Sequence, residues 1–96
     1  MKTFNDLVFQ PTERDYLRIA RINFNNGYGA VVIENLFKYR DGLEKRYELG
    51  VMFDNKSVIN PPISTDPPRW DLTDEKQVTD YLRQIKELES KQDENI

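Results

Sequence analysis

The segment that decides the fold is residues 17–33, which read LRIARINFNNGYGAVVI. Its first half alternates with a period of two, so Ala20, Ile22 and Phe24 lie on one side of an extended chain. Successive side chains of a strand point to opposite faces of a sheet. The pattern therefore predicts a β-strand with one face on a hydrophobic core.

The centre of this segment carries the strongest signal for a hairpin. Asn26 and Gly27 both adopt a positive φ angle at low cost, so the pair favours a two-residue turn between antiparallel strands. The next run, residues 30–33, is rich in β-branched side chains and predicts the returning strand, which extends through Leu36 towards Tyr39. We therefore expect this part of the chain to form a β-hairpin.

Two further turns reverse the chain after this hairpin. Residues 40–44 have Asp-Gly at their centre, and residues 54–57 form a polar cluster typical of turns. Between them, a period of two places four apolar side chains on one face of a strand: Tyr47, Leu49, Val51 and Phe53. A short last strand is predicted at residues 58–60, before two prolines stop it. Residues 17–60 are thus expected to form an antiparallel meander of four strands.

A helical pattern occupies residues 73–90. Thr73 is the predicted N-cap, and Asp74 and Glu75 follow in the first turn, where the helix dipole favours negative charge. Spacings of three and four residues place five apolar side chains on one stripe: Val78, Tyr81, Leu82, Ile85 and Leu88. This stripe is expected to cover the apolar face of the sheet.

The flanking segments complete the predicted domain. Residues 1–16 form an N-terminal arm or an edge strand that ends near a proline, residues 61–72 a Pro-rich loop, and residues 91–96 a frayed acidic tail. The predicted fold is a single α+β domain over residues 1–90. Its antiparallel four- to five-stranded meander sheet is packed on one face by a single C-terminal helix.

Composition excludes the commonest catalytic chemistries. The 96-residue chain has no Cys and no His, so it lacks a thiol nucleophile, a thiolate metal site and the usual general base near neutral pH. We expect no cofactor, no metal and no enzymatic activity. The longest uncharged run, residues 22–33, is too short and too polar to span a membrane, and no signal peptide is evident. These features favour a cytoplasmic protein.

The charge balance bears on the choice of partner. Acidic side chains outnumber basic ones by 17 to 14, and residues 71–96 hold eight acidic and four basic side chains. The net charge of −3 argues against binding to duplex nucleic acid by counterion release. Nucleic acid is therefore not the favoured partner.

The Pro-rich loop contains the first candidate contact site. Pro67, Pro68, Arg69 and Trp70 combine a stiff backbone with two residue types that are enriched at binding hot spots. Such a loop loses little entropy when it binds a protein. The alternative is that Trp70 closes the open end of the core between sheet and helix. Both interpretations hold if the indole is partly buried.

An aromatic and basic cluster is the second candidate site. Tyr39, Arg40, Lys45 and Arg46 flank one predicted turn, so the sheet would present rings among positive charges. Proteins that bind single-stranded nucleic acid use such surfaces. The alternative is a solvated sheet face on which the basic side chains pair with neighbouring glutamates.

Four motifs together resemble a group of small accessory proteins from tailed-bacteriophage genomes. They are a Phe-Asn-Asn-Gly-Tyr-Gly hairpin in residues 24–33, a Tyr-Glu strand in 47–51, a Pro-Ile-Ser-Thr-Asp loop in 62–66 and a helix start in 72–75. The chain departs from the group at Gly50, where a larger residue is usual, in its double proline and in its long N-terminal arm. The resemblance covers about residues 20–88. It implies a phage or prophage origin without implying a reaction.

These observations favour a non-catalytic interaction protein. We expect a phage-encoded accessory factor that binds a host or phage protein in the host cytoplasm and modulates it by covering part of its surface. The alternative is a weak binder of single-stranded nucleic acid or nucleotides through the aromatic and basic cluster. Because a meander leaves two sheet edges, self-association through an edge strand is a further expectation.

Overall fold

A computed structural model of the protein describes residues 3–39 and 42–88, apart from the side chains of residues 37–39 and 43. One antiparallel sheet has the strand order β1-β2-β3-β4-β5, so each strand pairs with its neighbour in the chain. The strands are β1 (Gln10–Pro11), β2 (Leu17–Asn23), β3 (Tyr28–Tyr39), β4 (Gly42–Phe53) and β5 (Lys56–Ser57). A 3₁₀ helix (Phe4–Asp6) precedes them, and helix α1 (Glu75–Lys86) follows. The predicted α+β meander with one C-terminal helix is confirmed.

The β2–β3 hairpin has a three-residue loop instead of the predicted two-residue turn. The Gly27 N–H donates to the Phe24 carbonyl at 3.3 Å, and the Phe24 N–H donates to the Tyr28 carbonyl at 2.8 Å. Within this loop only Gly27 has a positive φ, of 89°. A three-residue loop needs only one residue with left-handed backbone angles, and Gly27 is that residue. Asn26 does not need a positive φ, so its side chain can make other contacts.

A two-residue turn occurs instead between β4 and β5. Asp54 and Asn55 have φ angles of 50° and 63°, which these residue types tolerate better than most. Strand β5 therefore begins directly after them, two residues before the predicted last strand at residues 58–60. That prediction is wrong, although the Val58 N–H still donates to the Val51 carbonyl at 2.9 Å.

The aromatic run near the N-terminus begins with the short 3₁₀ helix, and the edge strand predicted within residues 1–16 lies after it. The first turn of this helix is fixed by the Thr3 N–H, which donates to the Asp6 carboxylate at 2.7 Å. Phe4 then packs edge-on against Tyr47, with ring centroids 5.3 Å apart. The fifth strand of the sheet is instead formed by Gln10 and Pro11, on the edge where a proline is tolerated.

Helix α1 begins one residue later than predicted. Its N-cap is Asp74, whose carboxylate accepts a hydrogen bond from the Gln77 N–H at 2.8 Å, so the prediction of Thr73 is wrong. The Thr73 N–H donates instead to the Gln77 side chain at 2.8 Å. The helix ends at Lys86, four residues before its predicted end. The predicted tail at residues 91–96 lies outside the described residues.

The C-terminus of α1 is capped by a side chain from the β2–β3 loop. The Asn26 Nδ2 group donates to the carbonyls of Ile85 at 2.9 Å, Lys86 at 3.2 Å and Leu88 at 2.9 Å. Its Oδ1 accepts from the Tyr28 N–H at 2.9 Å. One amide therefore satisfies carbonyls that the helix leaves unpaired and joins the helix to the hairpin.

The hydrophobic core lies between α1 and one face of the sheet. Its buried apolar residues include Ala20, Ile22, Ala30, Val32, Leu49, Val51, Val78, Tyr81, Leu82 and Ile85. Glu34 is also buried on this face, where its carboxylate forms an ion pair with Arg18 on the neighbouring strand. In the described parts of the chain, no second helix or strand covers the opposite face of the sheet, and no helix is long and apolar enough to cross a membrane.

Candidate protein-interaction surface

The Pro-rich loop lies along the outer edge of β4 and hydrogen-bonds to it. The Leu49 N–H donates to the Arg69 carbonyl at 2.8 Å. Tyr47 and Leu72 exchange two backbone hydrogen bonds, at 2.8 and 3.0 Å. These contacts take the place of a partner strand along the middle of β4. The loop backbone therefore satisfies hydrogen-bonding groups of β4 that would otherwise lie on an open sheet edge.

Helix α1 holds the same loop from the other side. The Tyr81 hydroxyl lies 2.8 Å from the Ser64 carbonyl oxygen and also contacts the Pro67 carbonyl. The Ser64 N–H donates to the Gln84 side chain at 2.7 Å. The loop is thus anchored to both layers of the fold, and its backbone is ordered before any partner binds.

Two large apolar side chains are exposed here, Trp70 on the anchored loop and Ile59 just before it. Trp70 is 59% exposed and Ile59 is 82% exposed. The Arg69 guanidinium joins them: it lies 5.6 Å from the Trp70 ring centroid, and its Nη2 donates to the Ile59 carbonyl at 3.3 Å. We call Ile59, Arg69 and Trp70 the loop patch.

The exposure of Trp70 means that its predicted role in closing the core is wrong. Leu72, two residues further along, is fully buried and fills that position. The antiparallel bridge between Leu72 and Tyr47 turns Leu72 towards the core. Pro67 and Pro68 are half-buried before the patch, and the Pro68 carbonyl accepts from the Asp71 N–H at 3.0 Å. The structure therefore brings Arg69 and Trp70 together, and the two half-buried prolines precede them in the loop.

A cavity of about 270 Å³ separates the loop patch from the sheet. Its apolar lining includes Val31, Ile33, Val58 and Trp70. Gly50 opens the floor of the cavity, because a Cβ atom at this position would meet only the Val31 carbonyl oxygen, at 4.0 Å. Sequence reasoning marks Gly50 as unusual but does not associate it with Trp70, since the hydrogen bonds that bring the loop to β4 join distant residues.

The structure describes the second candidate site only in part. Arg40 lies outside the described residues, and Tyr39 is the last residue of β3. Lys45 is exposed, whereas Arg46 follows it in the strand and so belongs to the opposite face. The Arg46 guanidinium forms ion pairs with Asp71 at 2.6 Å and Glu44 at 3.5 Å. These carboxylates neutralise much of the positive charge that a phosphate would meet.

Two buried tyrosines have raised pKa values. Burial is the main cause for Tyr47, and the nearby Glu34 carboxylate raises its pKa further. Burial also raises the pKa of Tyr81, against the opposing effect of the Arg69 guanidinium. Both phenols are therefore protonated at neutral pH, and the Tyr81 O–H serves as a hydrogen-bond donor to the loop. Among the described residues, no group of three or more acidic, Cys or His side chains could hold a metal ion.

The four motifs on which the expected resemblance is based lie at structural positions. The hairpin motif contains Asn26, which caps α1, and the Tyr-Glu motif contains the buried Tyr47. The loop motif contains Ser64, which is tied to α1. Comparison of the chain with protein-family models, curated proteins and solved structures finds no match.

Proposed function

We propose that this protein is a non-catalytic interaction protein that binds another protein through the loop patch. The observation that carries the proposal is the exposure of Trp70, 59% of its surface, on a backbone anchored by both β4 and α1. Trp and Arg are the residue types most often found at binding hot spots. A ring on an anchored backbone loses little conformational entropy on binding.

The source and the mode of action are part of the same proposal. The resemblance to accessory proteins of tailed phages supports a phage or prophage origin, and the partner is then a host or phage protein in the host cytoplasm. The described residues contain no group of three or more acidic, Cys or His side chains that could hold a metal ion. The protein accordingly modulates its partner by covering part of the partner's surface.

Capture from a bacterial lysate with immobilised protein tests this function. Proteins retained by the wild type are compared with those retained by Trp70→Ala and by Tyr16→Ala, a matched loss of an exposed aromatic ring outside the patch. The retained protein is then purified and its Kd measured. Trp70→Ala should weaken binding on the order of 30-fold, a hot-spot effect of about 2 kcal/mol, while Tyr16→Ala leaves the Kd within about 2-fold. Equal binding by all three proteins would refute the role of the loop patch.

Weak binding of single-stranded nucleic acid is the second candidate function. One observation favours it: Lys45 is exposed near the end of the β3–β4 hairpin, which extends beyond the last residue of β3 that pairs with β2. A labelled oligothymidine at low salt is the probe. On this proposal the wild type binds it and the double variant Arg40→Ala, Lys45→Ala does not. Absence of wild-type binding rejects this candidate.

A further inference from the structure

The face of the sheet opposite α1 carries a compact apolar patch with two charged corners. Strand pairing places Arg21 beside Val31 and Val31 beside Gly50 in one row. In the adjacent row, Ile19 lies beside Ile33 and Ile33 beside Glu48. We call these six residues the open face: Ile19, Arg21, Val31, Ile33, Glu48 and Gly50. The three aliphatic side chains are half-buried and the other three residues are exposed.

The two charged residues of the open face lie at diagonally opposite corners. Arg21 is on β2 in one row, and Glu48 is on β4 in the other. Within the described chain, neither side chain forms an ion pair, although five ion pairs link other residues. The patch thus has an unpaired positive charge on one side and an unpaired negative charge on the other. Two copies of the patch can face each other with opposite charges in contact.

We infer that a second copy of this chain packs on the open face, in a two-fold dimer with Arg21 of each copy paired to Glu48 of the other. Two-fold interfaces use the same patch on both subunits. A contact between residue i of one subunit and residue j of the other therefore occurs a second time with the subunits exchanged. The two-fold axis lies parallel to the sheet, passes between Val31 and Ile33, and is perpendicular to the line from Arg21 to Glu48. Rotation about this axis brings Arg21 of each copy to Glu48 of the other, so both ion pairs form at once. The aliphatic side chains of the two copies then lie against each other and are removed from water.

Gly50 fits this arrangement because it leaves room for a side chain of the second copy. The same rotation carries Val31 of one copy towards Gly50 of the other, given a strand spacing of about 4.8 Å. Apart from its neighbours in the chain, the only described atom within 4.0 Å of a Cβ built at Gly50 is the Val31 carbonyl oxygen. A larger residue at position 50 would hold the two sheets apart. Four residues of the open face, Val31, Ile33, Glu48 and Gly50, also line the cavity beside Trp70, so the second copy would adjoin the loop patch. The dimer depends on the charges and shape of the open face and does not require the loop patch to bind another protein.

Sedimentation equilibrium over protein concentrations from micromolar to about 1 mM tests the dimer. The wild type should dimerise in this range. Arg21→Glu places like charges at both contacts, and so does Glu48→Arg; each variant should raise the dimer Kd at least about 10-fold, since like charges across an interface cost several kcal/mol. An equimolar mixture of the two variants restores opposite charges at both contacts. The mixture should therefore form a heterodimer with a Kd within about 3-fold of the wild type.

Two further variants separate this interface from general effects of charge and folding. Lys76→Glu reverses a charge on the solvent side of α1, where the side chain is 85% exposed, and should leave the dimer Kd unchanged. Gly50→Val should weaken the dimer and retain the monomer's circular dichroism, because the site has room within the monomer. A wild type that stays monomeric overturns the inference. So do single charge variants that dimerise like the wild type, or a variant mixture that stays monomeric.

Discussion

At the scale of single residues, Asn26 shows how one side chain fixes the relation between hairpin and helix. Its amide donates to three helix-end carbonyls, two of them at 2.9 Å, and accepts a fourth hydrogen bond from the Tyr28 N–H. The negative end of the helix dipole lies at the same place. An isosteric residue that carries negative charge should therefore be poorly tolerated.

Asn26→Asp should lower the free energy of unfolding by about 2–3 kcal/mol, because carboxylate oxygens would face carbonyl oxygens at the negative end of the helix. Urea denaturation at neutral pH measures the change. The loss should shrink in acid, since a protonated carboxyl regains one donor. Asn25→Asp, in the same loop at an exposed position, is the matched control and should cost less than about 0.5 kcal/mol. Equal losses for the two variants would contradict the capping role.

At the scale of elements, local patterns were sufficient for the long central strands and the helix but not for the last strand or the connections. The alternation in residues 47–53 and the stripe from Val78 to Ile85 each depend on neighbours a few positions apart, and both predictions are confirmed. Asp54 and Asn55 carry a weaker turn signal than Asn26 and Gly27 but form the two-residue turn, so the strength of a local signal does not decide which pair forms it. In the three-residue β2–β3 loop, the Asn26 side chain instead contacts the end of α1, a contact between residues far apart in the sequence.

The candidate site was harder to predict because it depends on contacts between distant residues. The types of Arg69 and Trp70 suggest a contact surface, but their exposure follows from Leu72, which pairs with Tyr47 and occupies the core. No local pattern shows this pairing. In the aromatic and basic cluster, the contact of Arg46 with Asp71 likewise joins residues that are 25 positions apart.

The Pro-rich loop is the element on which the proposed function depends, and Tyr81 is its buried anchor. Tyr81→Phe should free the loop while leaving the core packed, because it removes only the hydroxyl that contacts the Ser64 and Pro67 carbonyls. The expected loss of stability is about 1 kcal/mol. The chain has one Trp, so fluorescence anisotropy of Trp70 reports directly on this loop and should fall.

Tyr28→Phe is the control for this prediction. Tyr28 is also buried, and it packs against Phe53 with ring centroids 4.9 Å apart, but its hydroxyl forms no hydrogen bond in the described structure. The anisotropy of Trp70 should not change in this variant. If both variants changed the anisotropy equally, the tether from Tyr81 to the loop would not be what orders Trp70.

At the scale of the whole molecule, the fold consists of two layers with its core on one side only. Helix α1 covers one face of the sheet, whereas no described helix or strand covers the open face or the loop patch. A β-sheet with apolar residues on both faces normally buries both. The half-buried Ile19, Val31 and Ile33 are therefore the residues that a monomer leaves incompletely packed.

The stability of the whole molecule should fall at alkaline pH. Burial raises the pKa values of both Tyr47 and Tyr81 above the ordinary value of 10.0. Above about pH 10 the unfolded chain releases these protons while the native protein retains them, so the free energy of unfolding decreases as pH rises. The slope is at most about 1.4 kcal/mol per pH unit for each tyrosine.

Urea denaturation between about pH 9 and pH 11 measures this slope. Tyr81→Phe and Tyr47→Phe should each flatten it, and the double variant should flatten it most, because phenylalanine has no proton to release. Val78→Ala removes methyl groups from the same core and lowers stability without removing a phenol, so it should keep the wild-type slope. If Val78→Ala flattened the slope as much as the tyrosine variants, the alkaline loss would reflect general destabilisation. If the tyrosine variants alone flatten it, the two buried phenols couple the folding of this domain to alkaline pH.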